Sequence, residues 1–137
     1  ECYENENKYN RLISDFKLQK HIQWINKYVP DRDINLYFSA SDLVVLPYKK
    51  ASQSGIIPIA YNYNKIVLVS DINGLNEFVE NEKTGYLFES SNYKNLSDKI
   101  SQIYKEHDFN KSEKYINSYK NKFTIDKLCS DLLSFID

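Results

Sequence analysis

Residues 43–69 read LVVLPYKKASQSGIIPIAYNYNKIVLV, and this stretch decides the fold. Leu43-Val44-Val45-Leu46 is a continuous apolar run closed by Pro47, which has no amide hydrogen to give a ladder. It lacks the alternation of a half-exposed strand, so a strand covered on both faces is expected. Ile66-Val67-Leu68-Val69 repeats the pattern. Between the two runs, Ile56, Ile59, Ala60 and Tyr63 fall at i, i+3, i+4 and i+7, the stripe of a helix from Ser54 to Tyr63. Strand, helix and second buried strand in one short span predict a parallel pair joined by a right-handed crossover.

The same alternation extends both ways. Toward the N-terminus, Asp31 is placed to cap a helix carrying Ile34, Leu36, Tyr37 and Phe38. Ile22-Gln23-Trp24-Ile25 reads as a short strand, and Tyr9, Leu12, Ile13 and Phe16 form one helical face. Toward the C-terminus, Gly74 breaks the chain before a short helix through Leu75, Phe78 and Val79. Lys83-Thr84-Gly85 turns into a last strand, Tyr86-Leu87-Phe88. Helical stretches follow at 92–106, 111–121 and 124–136, the first marked by Leu96, Ile100, Ile103 and Tyr104. The reading is one α/β domain over residues 1–137, a Rossmann-like parallel sheet with flanking and C-terminal helices. About four strands are visible against the usual five or six, and the chain opens on a helix, so the first strands of the sheet are expected to lie outside it.

Composition sets outer bounds. Apolar residues make up 42% and charged residues 27% of 137, an ordinary globular balance, and the formal net charge is -1. That gives no bulk drive toward nucleic acid or an anionic membrane. No run of about 18 apolar residues is present, so no spanning helix is expected. Cys2 and Cys129 show no metal-ligand spacing; a disulfide between them stays open, with free thiols expected in a cytosolic protein. The 12 Tyr, with abundant Asn and Lys and no Met, read as an AT-rich coding background rather than a functional signal.

In an open α/β sheet, ligands bind beyond the carboxyl ends of the strands. Three segments reach that edge: Lys27-Tyr28-Val29-Pro30, Tyr48 to Gly55, and Ser70 to Glu77. Ser52-Gln53-Ser54-Gly55 is the most informative, because small residues let backbone approach a ligand and a helix start offers unpaired amides to a phosphate. Pro58 suits the first helical turn, which puts the free donors around Ser54, Gly55 and Ile56. A serine that simply caps the helix remains the alternative. His21 and His107 read as surface or structural. Asp71 and Glu77 are either paired carboxylates or a turn cap and a first-turn acid. The lysines of 111–127 read as a solvated face. No phosphate-loop motif, complete dinucleotide fingerprint, metal cluster or nucleophile elbow is present, and neither a metal nor a cofactor is expected.

The order of segments resembles the retaining GT-B glycosyltransferases of family four, over residues 9–137. Tyr28-Val29-Pro30, then Leu36-Tyr37 to Ala40-Ser41-Asp42-Leu43-Val44-Val45-Leu46-Pro47, match one family segment. Lys65 to Ser70, Asn73-Gly74-Leu75-Asn76-Glu77-Phe78-Val79, and Asn81 to Gly85-Tyr86-Leu87 match the next. The resemblance implies the nucleotide-sugar-binding C-terminal half of a two-domain enzyme whose N-terminal domain holds a glycan or lipid-linked acceptor. It implies a nucleotide-diphosphate sugar as substrate, UDP first among the bases, and transfer with retention and no bound metal. The basic residues that the family places on the diphosphate would lie in the region before this chain. The cytoplasm, with the inner membrane face as a peripheral station, is the implied location, and bacterial O-antigen or capsule synthesis the implied setting.

The chain also departs from the family. Its usual pair of glutamates flanking the diphosphate helix falls at Ala51 and Ile59, which have no acid to offer. Ser52-Gln53-Ser54-Gly55-Ile56 resembles a recurring variant in which amides and small hydroxyls hold the diphosphate and Gln53 faces the sugar. Tyr28, Tyr48, Gly74 and Glu77 are the further candidates for contacts to base or sugar. A GT-B sugar-nucleotide epimerase and a non-catalytic α/β binding module are the rival readings.

Overall fold

The computed structural model describes residues 6–134, with the backbone alone at 123, 128 and 131. The chain forms two compact units, one up to Ile34 and one from Asn35 onward.

In the first unit, α1 (Glu6–Asp15) is the helix expected from the Tyr9 face, but it buries no residue. It ends in a Schellman-type turn. Lys17 takes a positive φ of 55°, the Leu18 amide reaches Ile13 O at 2.9 Å, and the Lys17 amide reaches Ser14 O at 2.9 Å. The strand expected at Ile22–Ile25 does not form. A four-residue run needs a ladder neighbour, and among the described residues it has none; side chains organise it instead. Trp24 stacks on Tyr9 with ring centroids 5.1 Å apart, and the Glu6 carboxylate accepts from Trp24 Nε1 and Asn26 Nδ2, both at 2.9 Å. Helix α2 (Asp31–Ala40) begins with Asp31 and Asp33 in its first turn, where acids complement the helix dipole.

The second unit holds the sheet. Strands β1 (Leu43–Leu46), β2 (Ile66–Ser70) and β3 (Gly85–Phe88) are parallel in the order β1-β2-β3, with Leu46 opposite Val69 and Ser70 opposite Phe88. Three strands, not the four expected, lie among the described residues. Only the central β2 is buried along its whole length; in β1 only Leu46 is, because β1 is an edge strand here. Helix α3 (Ile56–Asn62) connects β1 to β2. Its buried face is Ile57, Ala60 and Tyr61, one residue on from the expected stripe of Ile56, Ile59, Ala60 and Tyr63. Nearly every position of this helix is apolar, so periodicity alone left its rotation ambiguous. Tyr61 settles it: its hydroxyl donates to Phe78 O at 2.9 Å and lies 3.0 Å from Thr84 Oγ1, while Thr84 Oγ1 accepts from the Glu80 amide at 3.0 Å. Burial pushes the Tyr61 hydroxyl far above its ordinary pKa, so it stays protonated as a donor. Phe38 stacks on Tyr63 at the margin of this core.

A short 3-10 turn (Asn76–Phe78) precedes β3, and α4 (Tyr93–Glu106), α5 (Phe109–Tyr119) and α6 (Ile125–Leu133) follow it. Each of these helices has a side-chain cap: Asn92, Asp108 and Thr124 accept from the amides of Asn95, Lys111 and Lys127. His107 closes α4, half-buried rather than on the surface. Its Nδ1 pairs with Tyr86 Oη at 2.8 Å, its ring meets Phe109 edge-on at 4.6 Å, and its Nε2 is buried without a partner among the described residues. Burial lowers its pKa, partly offset by Asp108. Cys129 is exposed, and Cys2 lies outside the described residues. Among the described residues no helix is long and apolar enough to cross a membrane, and no group of acidic, His or Cys side chains is arranged to hold a metal.

Candidate functional site

The parallel strands deliver three loops to one edge: Pro47–Gly55 after β1, Asp71–Leu75 after β2 and Glu89–Asn92 after β3. Ser52, Gln53 and Gly55 are exposed there, and Ser54 is half-buried. Ser54 Oγ accepts from the Ile56 amide at 3.3 Å, so one of the expected free donors is already engaged, and Ile56 packs its side chain against the core. Gly55 is the N-cap of α3 with φ -67° and ψ -14°, and a Cβ built on it would meet nothing within 4 Å. Any residue adopts that conformation, so neither backbone nor packing demands glycine there.

Gly74 is the opposite case. It is buried with φ +85°, and a Cβ on it would collide with the Ser52 carbonyl oxygen and stand 2.8 Å from Ala51 O. Gly74 therefore seats the loop after β2 directly on the backbone of the loop after β1. Within the β2 loop, Asp71 accepts from Asn76 Nδ2 at 2.9 Å and the Asp71 amide donates to Phe88 O at 2.7 Å. Glu77 is exposed in the 3-10 turn. Tyr48 is half-buried against the core, and its carbonyl accepts from Ser90 Oγ at 3.4 Å. Ser70, buried at the end of β2, has its Oγ 3.5 Å from Leu46 O.

The candidates from Tyr48 to Ile56 and Gly74 thus share one edge, with Glu77 in the turn that follows. Tyr28 belongs to the first unit, where it is 71% exposed and its hydroxyl donates to Asp31 at 3.2 Å. Sequence reasoning passed over the loop after β3. The available signal was its position following a parallel strand, since Ser and Asn alone carry none.

Residues 3–122 match the family model described as glycosyl transferases group 1. The chain belongs to that family. No curated protein matches it significantly. Among solved structures, this group 1 glycosyltransferase chain is similar to a glycosyltransferase from Rickettsia africae, at 24% identity and a TM-score of 0.78, over 94% of this chain and 35% of that one. It is similar to HepE of Anabaena in complex with UDP-glucose, at 18% identity and a TM-score of 0.73, over 93% of this chain and 36% of that one. It is also similar to the C-terminal domain of LpcC from Francisella tularensis, a group 1 family protein, at 18% identity and a TM-score of 0.76, over 88% and 63%. At these identities the likeness is one of fold: an α/β parallel sheet like the C-terminal domain of GT-B glycosyltransferases. The chain spans about a third of the length of the first two.

Proposed function

We propose that this group 1 glycosyltransferase chain binds the nucleotide-diphosphate sugar, with the diphosphate on the loop Ser52–Ile56. One observation carries the reading: Gly55 is exposed at the strand edge in an ordinary conformation, and a Cβ built on it would meet nothing within 4 Å, so the backbone of this loop is open to a ligand. The Gly55 amide and the Ser52 hydroxyl supply donors to an anion, and Gln53 faces the sugar. Gly74 holds the rim against Ala51 and Ser52, while Tyr48 and Glu77 are the further contacts to base or sugar. UDP is the proposed nucleotide, on the strength of the Anabaena protein solved with UDP-glucose.

In the whole protein the activity is transfer of a hexose or N-acetylhexosamine to a glycan or lipid-linked acceptor, with retention as in family four. O-antigen or capsule assembly is the proposed setting, and the inner membrane face the proposed station. The chain's own contribution is positioning, plus stabilisation of the departing diphosphate by fixed amide dipoles. Neither metal nor cofactor takes part in this proposal. Ala51 and Ile59 put no carboxylate on either side of the loop, so the acid–base pair of an epimerase finds no support. Ser52, Gln53 and Gly55 are exposed, unlike the packed-over loop of a non-catalytic module. Calorimetric titration with UDP, GDP and UDP-glucose tests the reading. Saturable binding of one nucleotide, retained by its sugar conjugate, is expected; absence of heat with all three overturns it.

A further inference from the structure

The loop that Gly74 seats carries a reactive pair. Asn73-Gly74 is the sole Asn-Gly step in the chain, since Gly55 follows Ser54 and Gly85 follows Thr84. Every other asparagine precedes a residue with a Cβ, whose bulk shields the amide nitrogen between them. At Gly74 that bulk is missing and cannot be restored: φ is +85°, and a Cβ would collide with the Ser52 carbonyl and stand 2.8 Å from Ala51 O. The fold therefore keeps an unshielded amide next to an asparagine.

The turn that holds the pair decides when it reacts. Asn73 is exposed, and among the described residues neither its side chain nor the Gly74 amide has a hydrogen-bond partner. The Leu75 amide donates to Ile72 O at 3.2 Å, and φ is positive at Gly74 and not at Asn73, the pattern of a type II turn. Such a turn sets ψ of Asn73 at about +120°, which points the Gly74 nitrogen away from the Asn73 side chain. Closing a ring through Cγ needs that nitrogen eclipsed with Cβ, a rotation of about 120° from the turn's ψ. Gly74 is also buried, so hydroxide does not reach its amide while the turn is closed. The rotation breaks the turn and lifts Gly74 off Ser52.

We infer that Asn73 is a self-modification site, deamidating through a succinimide whenever the loop after β2 leaves its seat on the loop after β1. In the unseated loop the Gly74 nitrogen, its proton lost to hydroxide, attacks Asn73 Cγ. The Cγ–N bond forms, and the Cγ–Nδ2 bond breaks as ammonia leaves with a proton taken from water. Water then opens the ring at Cγ, giving aspartate, or at the main-chain carbonyl, giving isoaspartate. The second product routes the main chain through the side chain and adds a methylene before Gly74. The seat has no room even for a Cβ, so the lengthened loop cannot return to it. Either product also puts a new carboxylate at the rim, which repels an anion; this consequence alone rests on the donor reading.

The test incubates the full chain in mildly alkaline buffer, folded and in urea, and maps every asparagine by peptide mass spectrometry with isoaspartate-specific methylation. Asn73 should convert faster than any other asparagine of the folded chain, mostly to isoaspartate. Urea should speed it at least about tenfold, because the folded chain offers the open turn as a minor state of ~10% or less. The purified isoaspartyl chain should show shifted Ala51 and Ser52 amides in NMR spectra. Freshly made Asn73→Asp, with the same charge and a normal backbone, should leave those amides near the parent's. Asn73→Gln, whose longer side chain would need a larger ring, should stay intact in both conditions. Conversion led by another asparagine, equal rates folded and in urea, or an unshifted Ser52 amide in the isoaspartyl chain would each overturn the proposal. None of these readouts involves UDP, so a chain that fails to bind UDP sinks the donor reading and leaves this one standing.

Discussion

Replacing Gly74 with alanine should damage the fold, whereas the same change at Gly55 should not. At Gly74 the new methyl meets the Ser52 carbonyl oxygen, stands 2.5 Å from the Ser52 carbonyl carbon and 2.8 Å from Ala51 O, and sits at φ +85°. The left-handed backbone costs a residue with a Cβ about 1–2 kcal/mol. Forcing two backbones apart adds about 1–3 kcal/mol, as overpacking does. Their sum is about 2–5 kcal/mol, and at about 3–5 °C per kcal/mol for this length a central loss of ~3 kcal/mol lowers Tm by about 10–15 °C. At Gly55 the methyl meets nothing and φ is -67°, so Gly55→Ala should be neutral or gain about 0.4–1 kcal/mol through the unfolded chain. Under the proposed function it should also weaken UDP binding about tenfold or more. Thermal and urea melts with calorimetry read all three quantities. A Gly74→Ala chain within about 1 kcal/mol of the parent, with unshifted Ala51 and Ser52 amides, would refute the claim that Gly74 seats one loop on the other.

Tyr61→Phe removes the hydroxyl bonded to Phe78 O and Thr84 Oγ1; a loss of about 0.5–1.5 kcal/mol in urea melts is expected. His107 gives the pH dependence. Its folded pKa lies below the ordinary 6.5, so the folded chain binds fewer protons than the unfolded one just below that pH. Its contribution to stability is therefore present above pH 6.5 and lost as pH falls toward the depressed folded value. Burial lowers the pKa and Asp108 pulls the other way, so the downward shift is the net of these two; Tyr86 is the ring's hydrogen-bonding partner. Melts between pH 7.5 and 5 should show His107→Gln losing less stability on acidification than the parent; parallel curves would refute this assignment.

What was legible in the sequence was set by burial. Leu43–Leu46 and Ile66–Val69 are continuous apolar runs of strand length, and both strands formed. The rotation of α3 was not legible, because a helix apolar on nearly every side has no periodic minimum, and the partners that fix Tyr61 lie far along the chain. Ile22–Ile25 looked like a strand by composition, yet a strand exists only with a neighbour to pair with. The Ser52–Gly55 loop was visible from residue types and spacing alone. Its contact with Gly74 was not, since a positive φ and a close backbone approach are tertiary facts that a lone glycine only hints at.

The most direct measurement compares the amide shifts of Ser54, Gly55 and Ile56 on adding UDP with those on adding uridine. The account predicts saturable shifts at these amides with UDP and none with uridine, because the diphosphate is what the loop holds. Equal responses to both, or UDP shifts confined to residues away from the loop, would contradict it.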